Sequence, residues 1–312
     1  MTVRTIDIAV IGGGPAGLTA GLYAARGGAE TVIFERQACG GQIITTEQVE
    51  NYPAFPEGVG GAELGELMTA QTLAQGAEIA LFTEVTAIVP ADGGFLLETN
   101  DAPMHARAVI VATGAVPSKL GIPGEAEFTG RGVSWCATCD GAFYRDKVVA
   151  VIGGGDAALE EAMFLTKFAT KVYLVHRRHE FRAAQVIVDR LARHEKVEPV
   201  LGNVPVEILG DPETGKVCGL VLRDVADGSE RTLVLDGVFE FVGTTPISEL
   251  LSDGLVSTDE RGYIRTDARG ATGVPGLFAA GDVTESTLKQ VVTAAGAGAT
   301  AGFSALNYLE TL

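Results

Sequence analysis

The chain has 312 residues, a length that predicts two domains rather than one. Hydrophobic residues make up 46% of it, which is enough to form buried cores and excludes a disordered or fibrous chain. The 23 basic and 40 acidic residues give a net charge of −17 without a long Lys/Arg run, so we expect no nucleic-acid partner.

The N-terminal segment and the longest uncharged segment predict a protein outside the membrane. Residues 1–10 include Arg4 and Asp7 and lead directly into a strand pattern, so we expect no signal peptide. The uncharged segment 290–309 is diluted by glycine and polar residues and predicts a closely packed helix rather than a membrane span. The four cysteines are too few for a disulfide scaffold and fit a cytoplasmic protein with one redox pair.

An internal repeat predicts two nucleotide-binding units. A shift of 141 residues aligns 6–36 with 147–177, and each copy has an apolar run, a glycine turn, a helical segment and a second apolar run. This succession is typical of a βαβ unit with strands buried in a parallel sheet. A weaker repeat relates 108–117 to 237–246, where each copy is an apolar strand that ends in Gly-x-x-Pro.

We therefore predict an α/β fold with two Rossmann-like dinucleotide-binding domains, three-layered and with mostly parallel sheets. The two Gly-x-x-Pro ends are natural crossings between domains. The second domain, 118–245, is then inserted into a discontinuous first domain formed by 1–117 and 246–312.

The first glycine turn predicts a dinucleotide site. Gly12, Gly14 and Gly17 follow a strand pattern and open a helical one, and Glu35 ends the next strand pattern. The first glycine allows a tight turn, the second lets a pyrophosphate approach backbone N–H groups, and the third packs helix against strand. The acid suits a ribose hydroxyl. A structural turn is the alternative interpretation.

A Cys-x-x-Cys motif lies just before the second turn. Cys136 and Cys139, followed by Asp140, can close a redox-active disulfide in which the protein stabilises one sulfur as thiolate. Asp140 has two interpretations, a proton donor to a departing thiolate or a helix cap. A zinc site completed by His176 and His179 is disfavoured because their spacing is too tight, so we expect no metal. Two inert buried thiols are the other alternative.

The second glycine turn predicts a second dinucleotide with a different ribose. An imidazole and three arginines stand at and just after the position that corresponds to Glu35. An acid there would accept a ribose 2′-OH, whereas cations favour a 2′-phosphate. A solvated basic loop is the alternative. The candidate contacts are Gly153, Gly155, Ala158, His176, Arg177, Arg178 and Arg182.

Near the C-terminus, another apolar run ends in glycine and an acid at Gly281 and Asp282. The Asp282 carboxylate suits a polyol hydroxyl of a bound cofactor. A turn-forming aspartate is the alternative interpretation.

Six motifs taken in order resemble those of the low-molecular-weight thioredoxin reductases from end to end. They are GGGPAG, ATG, CATCDG, GGGDAA, HRRHEFR and AAGD. The resemblance implies a cytoplasmic homodimer with FAD in the discontinuous domain and NADPH in the inserted one. It also implies that electrons flow from NADPH through FAD to the Cys136/Cys139 disulfide and then to thioredoxin.

The resemblance further implies individual roles. Cys139 is the sulfur that faces the flavin, Cys136 attacks the substrate disulfide, and Asp140 is the acid. Arg177, Arg178 and Arg182 bind the 2′-phosphate. The implied FAD contacts are Gly12, Gly14, Gly17, Glu35, Gly41, Gln42, Asn51, Thr113, Asp282 and Gln290.

The sequence departs from that family at Lys289, where arginine is common, and at Ala157, where Ser or Thr is usual. Reductases of the glutathione reductase type fit less well, because their Cys-x4-Cys pair belongs to the first nucleotide unit and here Cys39 has Ile44 instead of a partner. Two alternatives remain: a reductase of a peroxiredoxin or another thioredoxin-like protein, and a non-catalytic NADPH-sensing flavoprotein.

Overall fold

The computed structural model describes residues 3–46, 49, 51–135, 137–252, 254–286 and 288–312, without the side chains of residues 45, 138 and 139. The chain divides into two compact units. Unit 1 is Met1–Val116 with Thr245–Leu312, and unit 2 is Pro117–Thr244. Within the described ranges, every helix is too short or too polar to span a membrane.

Strands and helices follow one another along the chain, with several runs of consecutive strands. The strands are β1 (Arg4–Ile11), β2 (Thr31–Glu35), β3 (Glu78–Leu81), β4 (Val85–Ala91), β5 (Gly94–Thr99), β6 (Met104–Val111), β7 (Ala115–Pro117), β8 (Val133–Ser134), β9 (Val148–Ile152), β10 (Lys171–His176), β11 (Val197–Leu201), β12 (Asn203–Gly210), β13 (Val217–Asp224), β14 (Glu230–Val234), β15 (Gly237–Glu240), β16 (Thr244–Pro246) and β17 (Leu277–Ala279). The α-helices are α1 (Pro15–Arg26), α2 (Gly61–Ala74), α3 (Ala137–Asp140), α4 (Asp156–Leu165), α5 (Gln185–Leu191) and α6 (Val291–Leu309), and short 3₁₀ helices cover Gly41–Thr45, Gly141–Tyr144 and Gly281–Val283.

Unit 1 is built on one mixed sheet with the order β3-β2-β1-β6-β5-β4. Strands β3, β2, β1 and β6 are parallel, and β17 adds a parallel neighbour along the second half of β6. The antiparallel β5 pairs with the first half of β6, so β6 serves both parts of the sheet. The carboxyl ends of the parallel strands therefore lie along one edge, where such sheets bind ligands.

Helices α1 and α6 pack so closely that only glycine fits at their contact. A Cβ atom at Gly298 would lie 2.0 Å from the carbonyl oxygen of Ala16, and one at Gly302 would lie 2.5 Å from that of Ala20. Small residues allow this approach, and the contact fixes the first turn of α1, which follows the glycine turn. The expectation that 290–309 is a closely packed helix is thus confirmed.

Unit 2 contains a parallel five-stranded sheet with the order β11-β10-β9-β15-β8 and an antiparallel sheet β12-β13-β14. In this unit β9, α4 and β10 form the second copy of the repeat, as β1, α1 and β2 form the first. Strands β7 and β16, through which the chain passes between the units, pair with each other. The prediction of two Rossmann-like domains, one inserted in the other, is confirmed.

Candidate dinucleotide and redox sites

The turn after β1 has the geometry that its glycines predict. Gly12 has a φ of +107°, and a Cβ there would lie 2.5 Å from the carbonyl oxygen of Ala112 at the end of β6. A Cβ at Gly17 would lie 1.8 Å from the carbonyl oxygen of Gly12. Gly14 precedes α1 without a side-chain cap, so the first N–H groups of the helix remain available to an anion.

Glu35, at the end of β2, lies over this turn. Its Oε2 accepts a hydrogen bond from the Gly13 backbone N–H at 2.8 Å, and its Oε1 accepts one from the Gln37 N–H at 2.7 Å. The acid is thus fixed beside the glycines. The isolated Cys39 packs against the same turn, and its Sγ would lie 2.9 Å from a Cβ at Gly13. Burial, and then the nearby Glu35, raises the pKa of the Cys39 thiol.

The Gly41 segment closes on the same turn. Gly41 has a φ of +61°, and a Cβ there would lie 3.0 Å from the Cα of Gly14. The amide of Gln42 donates to the carbonyl oxygen of Ala115. Thr113, at the end of β6, donates its hydroxyl proton to the carbonyl oxygen of Ile247 at 2.5 Å. Four segments of unit 1 therefore meet at this edge of the sheet.

Two predicted contacts that are far apart in the sequence bind each other. The Asn51 amide donates a hydrogen bond to Gln290 Oε1 at 2.8 Å. Gln290 is also the N-cap of α6 and forms a capping box with Thr293. The start of α6 is therefore held by the same side chain that holds Asn51.

Asp282 lies beside the N-terminal part of α1. A Cβ at its neighbour Gly281 would lie 2.7 Å from the Cβ of Ala16. Burial raises the pKa of Asp282 and the charge of Lys289 opposes the shift. Lys289 Nζ donates to the Asp282 carbonyl oxygen at 2.7 Å and lies 4.0 Å from the ring centroid of Tyr263. This lysine thus fixes the turn, a role that sequence reasoning missed.

The second glycine turn, after β9, is equally tight. A Cβ at Gly153, whose φ is +155°, would lie 2.5 Å from the carbonyl oxygen of Phe241 and 2.6 Å from the Cβ of Ala158. Gly155 precedes α4 without a side-chain cap, and a Cβ there would meet nothing within 4 Å in the described structure. Open space therefore faces the start of this helix.

His176 is buried and packs against the glycine turn. A Cβ at Gly154 would lie 2.3 Å from the imidazole Nδ1, and the ring stacks on Phe181 at 5.9 Å between centroids. Burial lowers the pKa of His176, and the charges of Arg182, Arg178 and Arg177 lower it further. We expect a neutral imidazole at pH 7, so phosphate charge would be met by the arginines.

The three arginines lie close enough to this turn for the charge of each to lower the pKa of His176. All three are exposed, and none forms an ion pair with a carboxylate in the described part of the chain. The backbone N–H of Arg182 donates to the Gly154 carbonyl oxygen at 2.7 Å, which ties the arginine loop to the glycine turn. Three unpaired cations at a helix N-terminus form a site for an anion.

Comparison with known proteins places the chain in a family. The profile of the family "Pyridine nucleotide-disulphide oxidoreductase" matches residues 6–298. The thioredoxin reductase of Listeria innocua is 44% identical to this chain, over 99% of this chain and 95% of the relative. That of Mycolicibacterium smegmatis is also 44% identical, over 99% of this chain and 98% of the relative. This chain belongs to the thioredoxin reductase family.

Solved structures of thioredoxin reductases share the fold. The Lactococcus lactis protein is 41% identical, with a TM-score of 0.91 over 98% of this chain and 100% of its own. The T. acidophilum protein is 35% identical, with a TM-score of 0.88 over 99% of each chain.

The redox motif expected of a thioredoxin reductase is only partly described. Cys136 lies outside the described residues, and Cys139 contributes its backbone to α3. Asp140 ends α3 and occupies the N-cap of the 3₁₀ helix Gly141–Tyr144, but makes no side-chain capping bond there. Its charge contributes, after burial, to raising the pKa of Tyr144 to about 12. Within the described ranges, no group of three or more His, Cys, Asp and Glu could hold a metal.

Proposed function

We propose that this chain is an NADPH-dependent thioredoxin-disulfide reductase with FAD in unit 1 and NADPH in unit 2. The observation that carries the proposal is the difference between its two glycine turns. One turn is covered by the Glu35 carboxylate, and the other is open beside three unpaired arginines. Two dinucleotides of different charge are thereby bound by one chain that also contains a Cys-x-x-Cys pair.

The residues of unit 1 fit FAD. The uncapped start of α1 and the glycine backbone at residues 12–14 would receive the pyrophosphate, and Glu35 would accept the ribose hydroxyls. Gly41, Gln42, Asn51, Thr113, Asp282 and Gln290 complete the proposed set. Burial raises the pKa of the partly buried Asp282 carboxyl group, and the charge of Lys289 opposes the shift. Bound FAD supplies the two-electron step between nicotinamide and disulfide.

The residues of unit 2 fit NADPH better than NADH. The open start of α4, with Gly153, Gly155 and Ala158, would hold the pyrophosphate. Arg177, Arg178 and Arg182 would then bind the 2′-phosphate by charge-assisted hydrogen bonds. NADH lacks this phosphate and would leave the three cations unpaired.

The dithiol carries the last step to the protein substrate. The Cys136 thiolate would attack one sulfur of the thioredoxin disulfide, which breaks that bond and forms a mixed disulfide. Cys139 would then attack Cys136, form the intramolecular disulfide and release thioredoxin with both sulfurs reduced. Asp140 would give a proton to the leaving thiolate. Its carboxylate makes no capping bond, which favours this role over a cap.

Two exposed apolar surfaces support protein partners. Phe143, in the 3₁₀ helix after the dithiol, is 72% exposed and offers a contact for thioredoxin. On unit 1, α1, α2 and α6 surround a pocket of about 390 Å³, and Tyr23, Leu67 and Phe303 are exposed on these helices. We propose that this second face joins two copies in a homodimer, and that the enzyme acts in the cytoplasm, where thiols stay reduced.

The test is to purify the protein, record its flavin spectrum and measure NADPH oxidation with thioredoxin. Cys136→Ser and Cys139→Ser are each expected to abolish thioredoxin reduction and to leave the flavin bound, because exchange needs both sulfurs. Near wild-type turnover in either variant would refute the dithiol mechanism. Turnover only with a peroxiredoxin would favour that partner, and no turnover with any disulfide would favour an NADPH sensor.

A further inference from the structure

A buried carboxyl group and a partly buried indole of unit 2 meet at the carboxyl edge of its parallel sheet. Glu240, the last residue of β15, is 1% exposed. The indole Nε1–H of Trp135 donates a hydrogen bond to Glu240 Oε2 at 3.1 Å. Strand β15 pairs in parallel with β8 so that Phe239 lies opposite Ser134, which brings the following residues, 240 and 135, together. Trp135 directly precedes Cys136.

A second buried carboxyl group, that of Glu125, faces the first. Glu125 is 3% exposed, and its carboxylate accepts hydrogen bonds from the backbone N–H groups of Leu120, Gly121 and Ile122 at 3.1, 2.5 and 3.3 Å. Burial, and then the proximity of Glu125, raises the pKa of Glu240 to about 8. Glu240 therefore holds its proton at neutral pH.

The unpartnered oxygen of Glu240 can carry that proton. Its Oε1 is buried and has no hydrogen-bond partner among the described residues. A carboxyl proton turns this group into a donor towards Glu125, while Oε2 still accepts from Trp135. The cation described beside Trp135 is Lys119, whose Nζ lies 6.0 Å from the ring centroid. Lys119 forms no ion pair with either carboxyl group in the described part of the chain.

We propose that Glu240 is a positioning residue for disulfide exchange. Its protonated carboxyl group bridges Glu125 and Trp135 and so fixes the residue from which the chain continues into Cys136. This role rests on the proposed function, in which Cys136 attacks the substrate. Loss of the proton places negative charge beside Glu125 in a buried site and weakens the bridge, so Trp135, which directly precedes Cys136, is held less firmly as pH rises.

Trp135 makes the bridge directly observable, because it is the only tryptophan of the chain. In the holoenzyme we expect its fluorescence emission to change with pH, with a midpoint near 8. In Glu240→Gln the change should be absent, because the amide donates to Glu125 and accepts from Trp135 without ionising. Glu161→Gln is the matched control. Burial raises the pKa of Glu161 to about 7, but Glu161 lies on α4, so the emission change should persist.

The second measurement is the rate at which the dithiol, reduced with dithiothreitol, reacts with iodoacetamide. Glu240→Leu should lower this rate about fivefold, which corresponds to about 1 kcal/mol at 1.4 kcal/mol per tenfold. Trp135→Phe keeps the aromatic packing, removes the N–H donor and should give the same loss. The double variant should lose no more than either single one. Glu240→Gln should have the wild-type rate, because the amide keeps both hydrogen bonds. A role limited to filling space would not depend on these hydrogen bonds.

A pH-dependent emission change that persists in Glu240→Gln would overturn the proposal. A wild-type rate of reaction with iodoacetamide in folded Glu240→Leu would also overturn it. If Glu240→Leu does not fold, the same rate in Trp135→Phe would do so. Both measurements are made without thioredoxin. Failure of thioredoxin turnover with these results intact would therefore refute the proposed substrate and leave the positioning role standing.

Discussion

Replacement of Arg177 and Arg178 by alanine tests how unit 2 selects its nucleotide. Each guanidinium is exposed and without an ion-pair partner among the described side chains, so each can form a charge-assisted hydrogen bond to the 2′-phosphate. Because solvent screens exposed charges, we take the lower end of the usual range, about 1.5 kcal/mol for each bond. Loss of both then weakens NADPH by about 3 kcal/mol, or roughly a hundredfold.

The assay is kcat/KM for NADPH and for NADH, measured at low and at high salt. The double variant should lose most of its preference for NADPH, with NADH little changed. High salt should reduce the wild-type preference, because the arginines are exposed. Arg231→Ala, an exposed arginine on β14 of the same unit, is the control and should change neither constant. An unchanged NADPH/NADH ratio in the double variant would refute the assignment.

An independent readout of the same variant is the imidazole of His176. Burial is the first cause of its lowered pKa, and the neighbouring arginines are the next. Removal of two of these cations should therefore raise the pKa of His176, which an NMR titration can follow. No change would mean that Arg177 and Arg178 lie away from the turn in solution.

Three further outcomes are expected. Gly298→Ala should destabilise the protein by about 1–3 kcal/mol and weaken flavin binding, because its methyl group meets Ala16. Gly296→Ala is the control and should not destabilise the protein. Equal unfolding midpoints for the two variants would contradict the close packing of α6 on α1. The wild type should lose stability relative to Glu240→Gln as pH rises from about 4.5 to about 8, and no further above it. The reason is that the raised pKa lets folded Glu240 keep its proton at pH values where the unfolded chain has lost it. A pH-independent difference in thermal midpoint would count against the buried proton. Phe143→Ala should raise KM for thioredoxin but leave reduction of a small aromatic disulfide unchanged, and equal KM values for thioredoxin would remove Phe143 from the docking surface.

Local sequence was sufficient for much of the fold and of the turns. The two copies of the βαβ pattern can be recognised in the sequence because strand burial and helix formation depend on residues within each segment. The conformation of Gly12 and the contact of Gly17 follow from the spacing of the glycines, since each acts on backbone a few residues away. The sequence also showed that the second repeat has a basic cluster where the first has Glu35, because both positions end the strand that follows the glycine turn and its helix.

Other features of the sites depend on residues that only the folded chain brings together. The Asn51–Gln290 bond joins positions 239 residues apart, and the Trp135–Glu240 bond joins positions 105 residues apart. The sequence named Asn51 and Gln290 separately through resemblance, and it assigned no role to Trp135. No local pattern encodes such pairs, because they depend on the packing of segments that are distant in the sequence.

The sequence by itself determined which segments become strands, helices and glycine turns, and that an acid follows one turn where arginines follow the other. Only the tertiary structure decided that Lys289 holds the Asp282 turn against Tyr263 and that Glu240 is buried beside Glu125. The physical reason is that backbone conformation is set mainly by neighbouring residues, whereas burial and proximity set the protonation and hydrogen bonding of a side chain. Both of these depend on the packing of the whole unit.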